Sequence, residues 1–208
     1  MKNFFLLLPA LMLIQPLHLI MAEESGWQLR KDKNGILVYT KLKDDSQLYL
    51  YKVVTNVEAS PEAVYKQVID FKANLKYMEA VDSLRFLDHQ KDRLYQNYMH
   101  FNMPWLVKNR NLVVEMRVTI TNNTIYLKSF NLPDLLPANA NVVRIRDFQE
   151  EWTIETGNSR NESRITVTGW VDPGGSIPSW VVNLFSVSTP YRFISGIIEE
   201  VKKQNIAD

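Results

Sequence analysis

The stretch GWVDPGGSIPSWVVNLFSVSTPYRFISGIIEE, residues 169–200, limits the possible folds more than any other part of the chain. A strand-like end leaves through Gly174 and Gly175, and a long, mostly apolar segment follows with Pro178 and Pro190 inside it. Trp180, Leu184, Val187, Tyr191, Ile194 and Ile198 recur at steps of three and four, which is one stripe of a helix. Phe185, Phe193 and Ile197 widen that stripe beyond a coiled-coil seam. The spacing predicts a helix over residues 177–203, capped by Ser176 and with Pro178 in its first turn. Pro190 removes a mid-helix hydrogen bond, at about 3 kcal/mol unless a bend absorbs it. The segment is too interrupted for a membrane span, which needs about 20 consecutive apolar residues. It reads as a cover over something. The pattern alone does not distinguish a filled core beneath it from a hollow one.

What it covers is a run of strands. ILVYTKLK (36–43) follows the turn DKNG, with 27–31 as a lead-in, and QLYLYKVVTN (47–56) is rich in bulky and β-branched residues. In EASPEAVYKQVIDFKANLKYMEAV, Ser60 is a good N-cap and Pro61 a first helical residue, so one amphipathic helix is expected, broken near Ala73 and Asn74. From Val81 the period returns to two, and strands are predicted over 82–88, 93–101, 111–120, 123–130, 142–155 and 163–171. Strands grouped apart from helices indicate an α+β domain rather than a parallel α/β one.

Composition excludes several classes of function. With 24 basic and 23 acidic residues and a net charge of +1, there is no footprint for nucleic acid. There is no cysteine, hence no disulfide, thiolate nucleophile or cysteine-ligated metal. Lys2 followed by the apolar run to Met21 and Ala22 matches a secretory leader over residues 1–22, with a globular domain over 27–204. Pro9, Gln15, Pro16 and His18 argue against an uncleaved anchor. Export to the periplasm or medium is expected. GxSxG, HExxH, Walker and Rossmann motifs are all missing from the sequence, and no catalytic residue, metal or cofactor is assigned.

Two segments carry a resemblance. WVDPGGSIPSWVVNLFSVSTPY resembles the C-terminal segment of bacterial START domains, the steroidogenic acute regulatory-related lipid-transfer fold. MPWLVKNRNLVV, residues 103–114, resembles the family's Pro-Trp-Pro-Val…Asn-Arg-Asp approach to a central strand, with Leu106 and Asn111 departing from the usual Pro and Asp. The resemblance covers about 27–203 and implies a helix-grip fold: a curved antiparallel sheet around a long C-terminal helix, enclosing a hydrophobic tunnel. It further implies a monomeric carrier of one lipid or other apolar molecule, with transient membrane contact.

On that resemblance Leu112, Val114, Met116 and Val118 line the tunnel from the central strand, and Trp180, Leu184 and Tyr191 from the helix. Asn97 and Met116 take the places where sterol-binding relatives carry a buried acid and arginine. Arg110 is expected to bridge loop and sheet, with contact to a head group as the alternative. Trp105 is placed at the tunnel mouth, and Leu135 and Leu136, between Pro133 and Pro137, form a loop for membrane touching or for packing. Two other readings stay open: a cyclase- or lyase-like enzyme using the same cavity, and an interaction module with a packed interior.

Overall fold

The computed structural model describes residues 26–104 and 107–207; the expected leader at 1–22 and Trp105 lie outside them. Asn34 and Gly35, with φ of 55° and 74°, close a tight hairpin between β1 (Gln28–Lys33) and β2 (Ile36–Leu42). The lead-in is therefore a strand. Its sequence QLRKDK shows no apolar alternation because it is a largely exposed edge strand, where charge is favoured.

After β3 (Tyr49–Val57), the Ser60 hydroxyl accepts the Ala63 amide at 3.3 Å and starts α1 (Pro61–Val68). The helix breaks earlier than its sequence suggests. Asp70 caps a new short helix, α2 (Phe71–Asn74), by accepting the Ala73 amide at 3.0 Å, and a 3-10 turn follows over Leu75–Tyr77.

The second run of strands is β4 (Val81–Gln90), β5 (Leu94–Phe101), β6 (Arg110–Ile120), β7 (Thr124–Asn131), β8 (Val143–Arg144), β9 (Asp147–Thr156) and β10 (Ser163–Asp172). The single strand expected over 142–155 is thus two. Asn131 bridges the break, donating to the Arg146 carbonyl at 2.7 Å and accepting the Phe148 amide at 3.1 Å. The strands form one sheet in the order β1-β2-β3-β10-β9-β7-β6-β5-β4, with β8 beside β6. Every pairing is antiparallel except β6 with β8.

The final helix, α3, spans Ser179–Ala207 and runs through Pro190. Gly174 and Gly175 both take positive φ, 64° and 71°, where a side chain would be strained, so they make the turn from sheet to helix. Ser176 is not the cap. The Pro178 carbonyl receives the first helical amides, from Val181 at 2.9 Å and Val182 at 3.3 Å.

The inner face of the sheet is laid out in rows. Val38, Val53, Val167, Trp152, Leu127 and Val118 are successive register partners and form an apolar row. Against this half pack Val64 and Val68 of α1 and Ile194, Ile197 and Val201 of α3, all buried, and Phe193 meets the Trp152 ring edge-on at 6.1 Å. Each such side chain contributes about 1.5–3 kcal/mol on burial. The next row is different: Thr40, Tyr51, Gly169, Glu150, Ser129, Met116, Tyr95 and His89 succeed one another in register and are mostly polar.

The far end of α3 is locked to the turn before β4. A Cβ on Gly196 would lie 2.2 Å from Cγ of Tyr77, so the bare helix surface at Gly196 is what lets the ring lie flat on it. Beyond the ring, the Tyr77 hydroxyl donates to Glu200 at 2.7 Å and Lys76 pairs with the same oxygen at 3.0 Å. Gly196→Ala gains about 1 kcal/mol of helix propensity, yet displaces the ring. We expect a net loss of about 1–3 kcal/mol, the usual range for overpacking, read as a lower urea midpoint.

Hydrogen bonds from Tyr77, Lys76 and Lys203 hold the Glu200 carboxyl down from the usual 4.5 to about 2. A depressed acid stabilises the fold above its unfolded pKa and loses that contribution as pH falls through its folded one. Glu200→Gln is therefore expected to flatten the acid limb of stability between pH 4.5 and about 2, measured by denaturation at a series of pH values.

Candidate functional site

The polar row is the candidate site, and Gly169 makes it possible. Tyr51 on β3 and Glu150 on β9 are each register partners of Gly169, on the strand between them. A Cβ at Gly169 would stand 2.7 Å from both the Tyr51 hydroxyl and the Gln149 carbonyl. Without it, the Tyr51 ring lies across β10, and its hydroxyl donates to Oε2 of Glu150. Oε1 of Glu150 accepts the indole N–H of Trp152 at 2.7 Å. Ser129, buried, is the next register partner.

Burial raises the pKa of Glu150, and the two donated hydrogen bonds offset this in part. Burial also raises Tyr51, as do the charge of Glu150 and the hydrogen bond to it. No cation pairs with Glu150 among the described residues. Glu150 itself stays half-buried, so part of its surface remains open.

At the β4–β5 side, Asn97 is 1% exposed and its amide oxygen meets Nε2 of His89 at 3.0 Å. The Asn97 amide nitrogen is buried without a partner. His89 in turn lies in an aromatic group with Phe71, Phe86 and Tyr95, at ring distances of 4.6–5.7 Å.

The residues singled out from the sequence separate into groups. Leu112 and Val114 are buried in a second apolar cluster with Ile145, against half-buried Met99, Phe101, Phe148 and Val171. Met116 and Val118 belong instead to the main core. Tyr191 is half-buried at the sheet edge, with the Lys31 ammonium 3.9 Å from its ring centre. Trp180 does not join a buried lining: it is 68% exposed, and Phe185 is 46% exposed, whereas Val182 on the same stretch of α3 is buried and Val187 packs on the main core. The Leu184 side chain lies outside the described residues.

Trp180 instead borders a groove of about 360 Å³ with Arg30, Thr40, Tyr49, Asn183 and Val187. The groove leads inward to Thr40, the register partner of Tyr51. Asn183 anchors α3 here, accepting the Tyr49 amide at 3.0 Å and donating to the Gln47 carbonyl at 2.9 Å.

Arg110 bridges loop and sheet. It is 3% exposed and donates to the carbonyls of Lys108 and of Gly174, the latter at 3.1 Å. Its Nε has no partner, and burial pulls its pKa below the usual arginine value. Asn111 serves a different arginine: its amide oxygen accepts from Arg144, which also donates to the carbonyls of Pro133, Leu136 and Pro137. Arg144 thereby fixes the loop on which Leu135 is 47% exposed and Leu136 half-buried.

Tyr51, Gly169 and Glu150 were not among the residues expected at the site. One signal was present: in FQEEWTIE, every second residue reads Phe148, Glu150, Trp152, Ile154, which puts one acid on an apolar face.

Comparison with known proteins places this architecture. The START domain family matches residues 15–205, and the chain belongs to that family. It is 25% identical over 179 residues to an uncharacterised protein of Pseudomonas aeruginosa, covering 86% of this chain and 88% of the relative. It is also 25% identical over 183 residues to the phosphatidylcholine transfer protein of Mus musculus, covering 84% of this chain and 83% of that one. Among solved structures, the STAR-related lipid transfer protein of Xanthomonas axonopodis superposes with a TM-score of 0.76 at 28% identity, covering 85% of this chain and 99% of that one.

Arg110 is the polar tie between β6 and the turn into α3. Hydrogen bonds from a charged group are worth about 1.5–3 kcal/mol. Arg110→Ala is expected to free the Gly174 turn, so limited proteolysis should cut within residues 172–178 at least several-fold faster than in the unaltered protein.

Proposed function

We propose that this protein is a non-enzymatic carrier that binds a lipid or similar apolar molecule between the inner face of the sheet and the first half of α3. The observation that supports this best is the division of the inner face. One half is filled by α1 and the second half of α3, and the other keeps Met99, Phe101, Phe148 and Val171 half-buried beside the polar row. A packed module has no need of that second half. The phosphatidylcholine transfer protein of Mus musculus at 25% identity and the STAR-related lipid transfer protein of Xanthomonas axonopodis at 28% are named for lipid transfer, which favours a carrier over an enzyme.

Affinity in such a site comes from apolar burial, about 0.8 kcal/mol for each CH₂ removed from water. Specificity comes from few polar groups. The ligand would enter along the groove at Trp180, under the half of α3 held by Asn183. Exposed Leu135 on its rigid loop, together with Trp105, would touch the donor membrane. A secretory leader over residues 1–22, as the sequence suggests, would carry the protein outside the cytoplasm.

The reading is tested by native mass spectrometry of the protein purified from its own host, with N-terminal sequencing of the same sample. We expect one copy of a discrete lipid per chain and a mature end near residue 23. In a vesicle assay, the protein should speed exchange of that lipid at least tenfold. A ligand-free mass together with no uptake from a total lipid extract would refute the carrier.

A further inference from the structure

We propose that the Glu150 carboxyl, held by Tyr51 and Trp152, is the subsite for the cationic amine end of an amphiphilic ligand. This rests on the carrier reading above and names the chemistry of the cargo.

Three features of the site carry the argument. The first is charge. A carboxylate accepts hydrogen bonds and donates none, and both donors given to Glu150 are neutral. Burial desolvates the carboxyl in part, a cost that an opposite charge offsets, and among the described residues no lysine, arginine or histidine forms an ion pair with it. If the row merely pinned β3 to β9, a glutamine could accept the indole N–H on its amide oxygen and donate its NH₂ to the Tyr51 hydroxyl, holding both ties without that cost. An ammonium group is the partner that a glutamine could not serve and that the carboxylate lacks.

The second feature is access. Glu150 is only partly buried, and the groove at Trp180 has in its lining Thr40, the register partner of Tyr51 on the next strand. The third is position. Glu150 stands where the filled apolar row ends, with Trp152 two residues on in the core and Phe148 two residues back in the half-buried cluster. A polar end seated there leaves an alkyl tail to lie along Phe148, Val171, Val114 and Leu112. Because burial raises the carboxyl's pKa, a neighbouring cation is also what keeps it ionised.

The probes are decylamine, decanol and decanoate, which share a tail and differ in the head. Dissociation constants are measured by calorimetry at pH 7 for the unaltered protein and for Glu150→Gln and Tyr51→Phe. The unaltered protein should bind decylamine at least tenfold more tightly than decanol, and decanoate more weakly than either. In Glu150→Gln the amine and the alcohol should fall within twofold of each other. Tyr51→Phe keeps the carboxylate and should keep the amine preference. Equal affinity for amine and alcohol in the unaltered protein overturns the inference and leaves the carrier reading in place, as does a preference that survives in Glu150→Gln. Binding of none of the three overturns both.

Discussion

Ile194, Ile197 and Val201 of α3, seated with Val64 and Val68 of α1 on the inner face of the sheet, are the contact on which the other elements depend. A sheet in one layer must bury its apolar side against something, and α1 and α3 together fill that role. The seat is one-sided. Its side chains are fully buried and contribute about 1.5–3 kcal/mol each. The first half of α3 combines apolar contacts, with Val182 buried and Val187 and Tyr191 against the core, with polar ties from Asn183 to β3 and from Thr189 and Arg192 to Glu79. Such ties are worth about 0.5–1.5 kcal/mol apiece, and less where water screens them.

The sheet's register explains why the inner face has two characters. Antiparallel pairing keeps each row intact from strand to strand, so one row of valines and leucines closes the core. Moving two residues along every strand reaches Thr40, Tyr51, Glu150, Ser129 and Tyr95 together. Gly169 occupies the one place in that row where a side chain would block Tyr51 from Glu150. The absence of an atom there determines the chemistry of its neighbours.

Much of the fold is legible in the sequence because the signals are local. Ser60 and Pro61 mark α1 by capping chemistry, Gly174 and Gly175 mark a turn by φ, and alternation marks most strands. β1 escapes because an exposed edge has no apolar period to show, and the split between β8 and β9 escapes because Asn131, on another strand, creates it. The site is harder for the same reason. Leu112 and Val114 are found on a strand whose apolar face is plain, but the stripe on α3 cannot tell which of its residues meet the sheet, and Trp180 stays outside. Glu150 and Tyr51 are far apart in the chain, and only the strand order brings them to either side of Gly169.

The placement of charge separates what packing requires from what it does not. On the outer face and in the loops beside it, acids and bases answer each other: Lys128 with Glu151 at 2.8 Å and Arg117 with Glu115 at 2.7 Å on the strands, Arg146 with Asp134 at 3.3 Å between loops. On the inner side Arg110 and Glu150 have no opposite charge in contact among the described residues. Both accept the cost of desolvation with hydrogen bonds to neutral groups alone. For Arg110 those bonds have a structural product, the anchored turn at Gly174. For Glu150 the two bonds tie side chains that Gly169 and the register already place, so the charge adds nothing to the fold that a neutral residue would not. On the proposed reading, that charge, set beside half-buried Phe148 and Val171, serves recognition rather than stability.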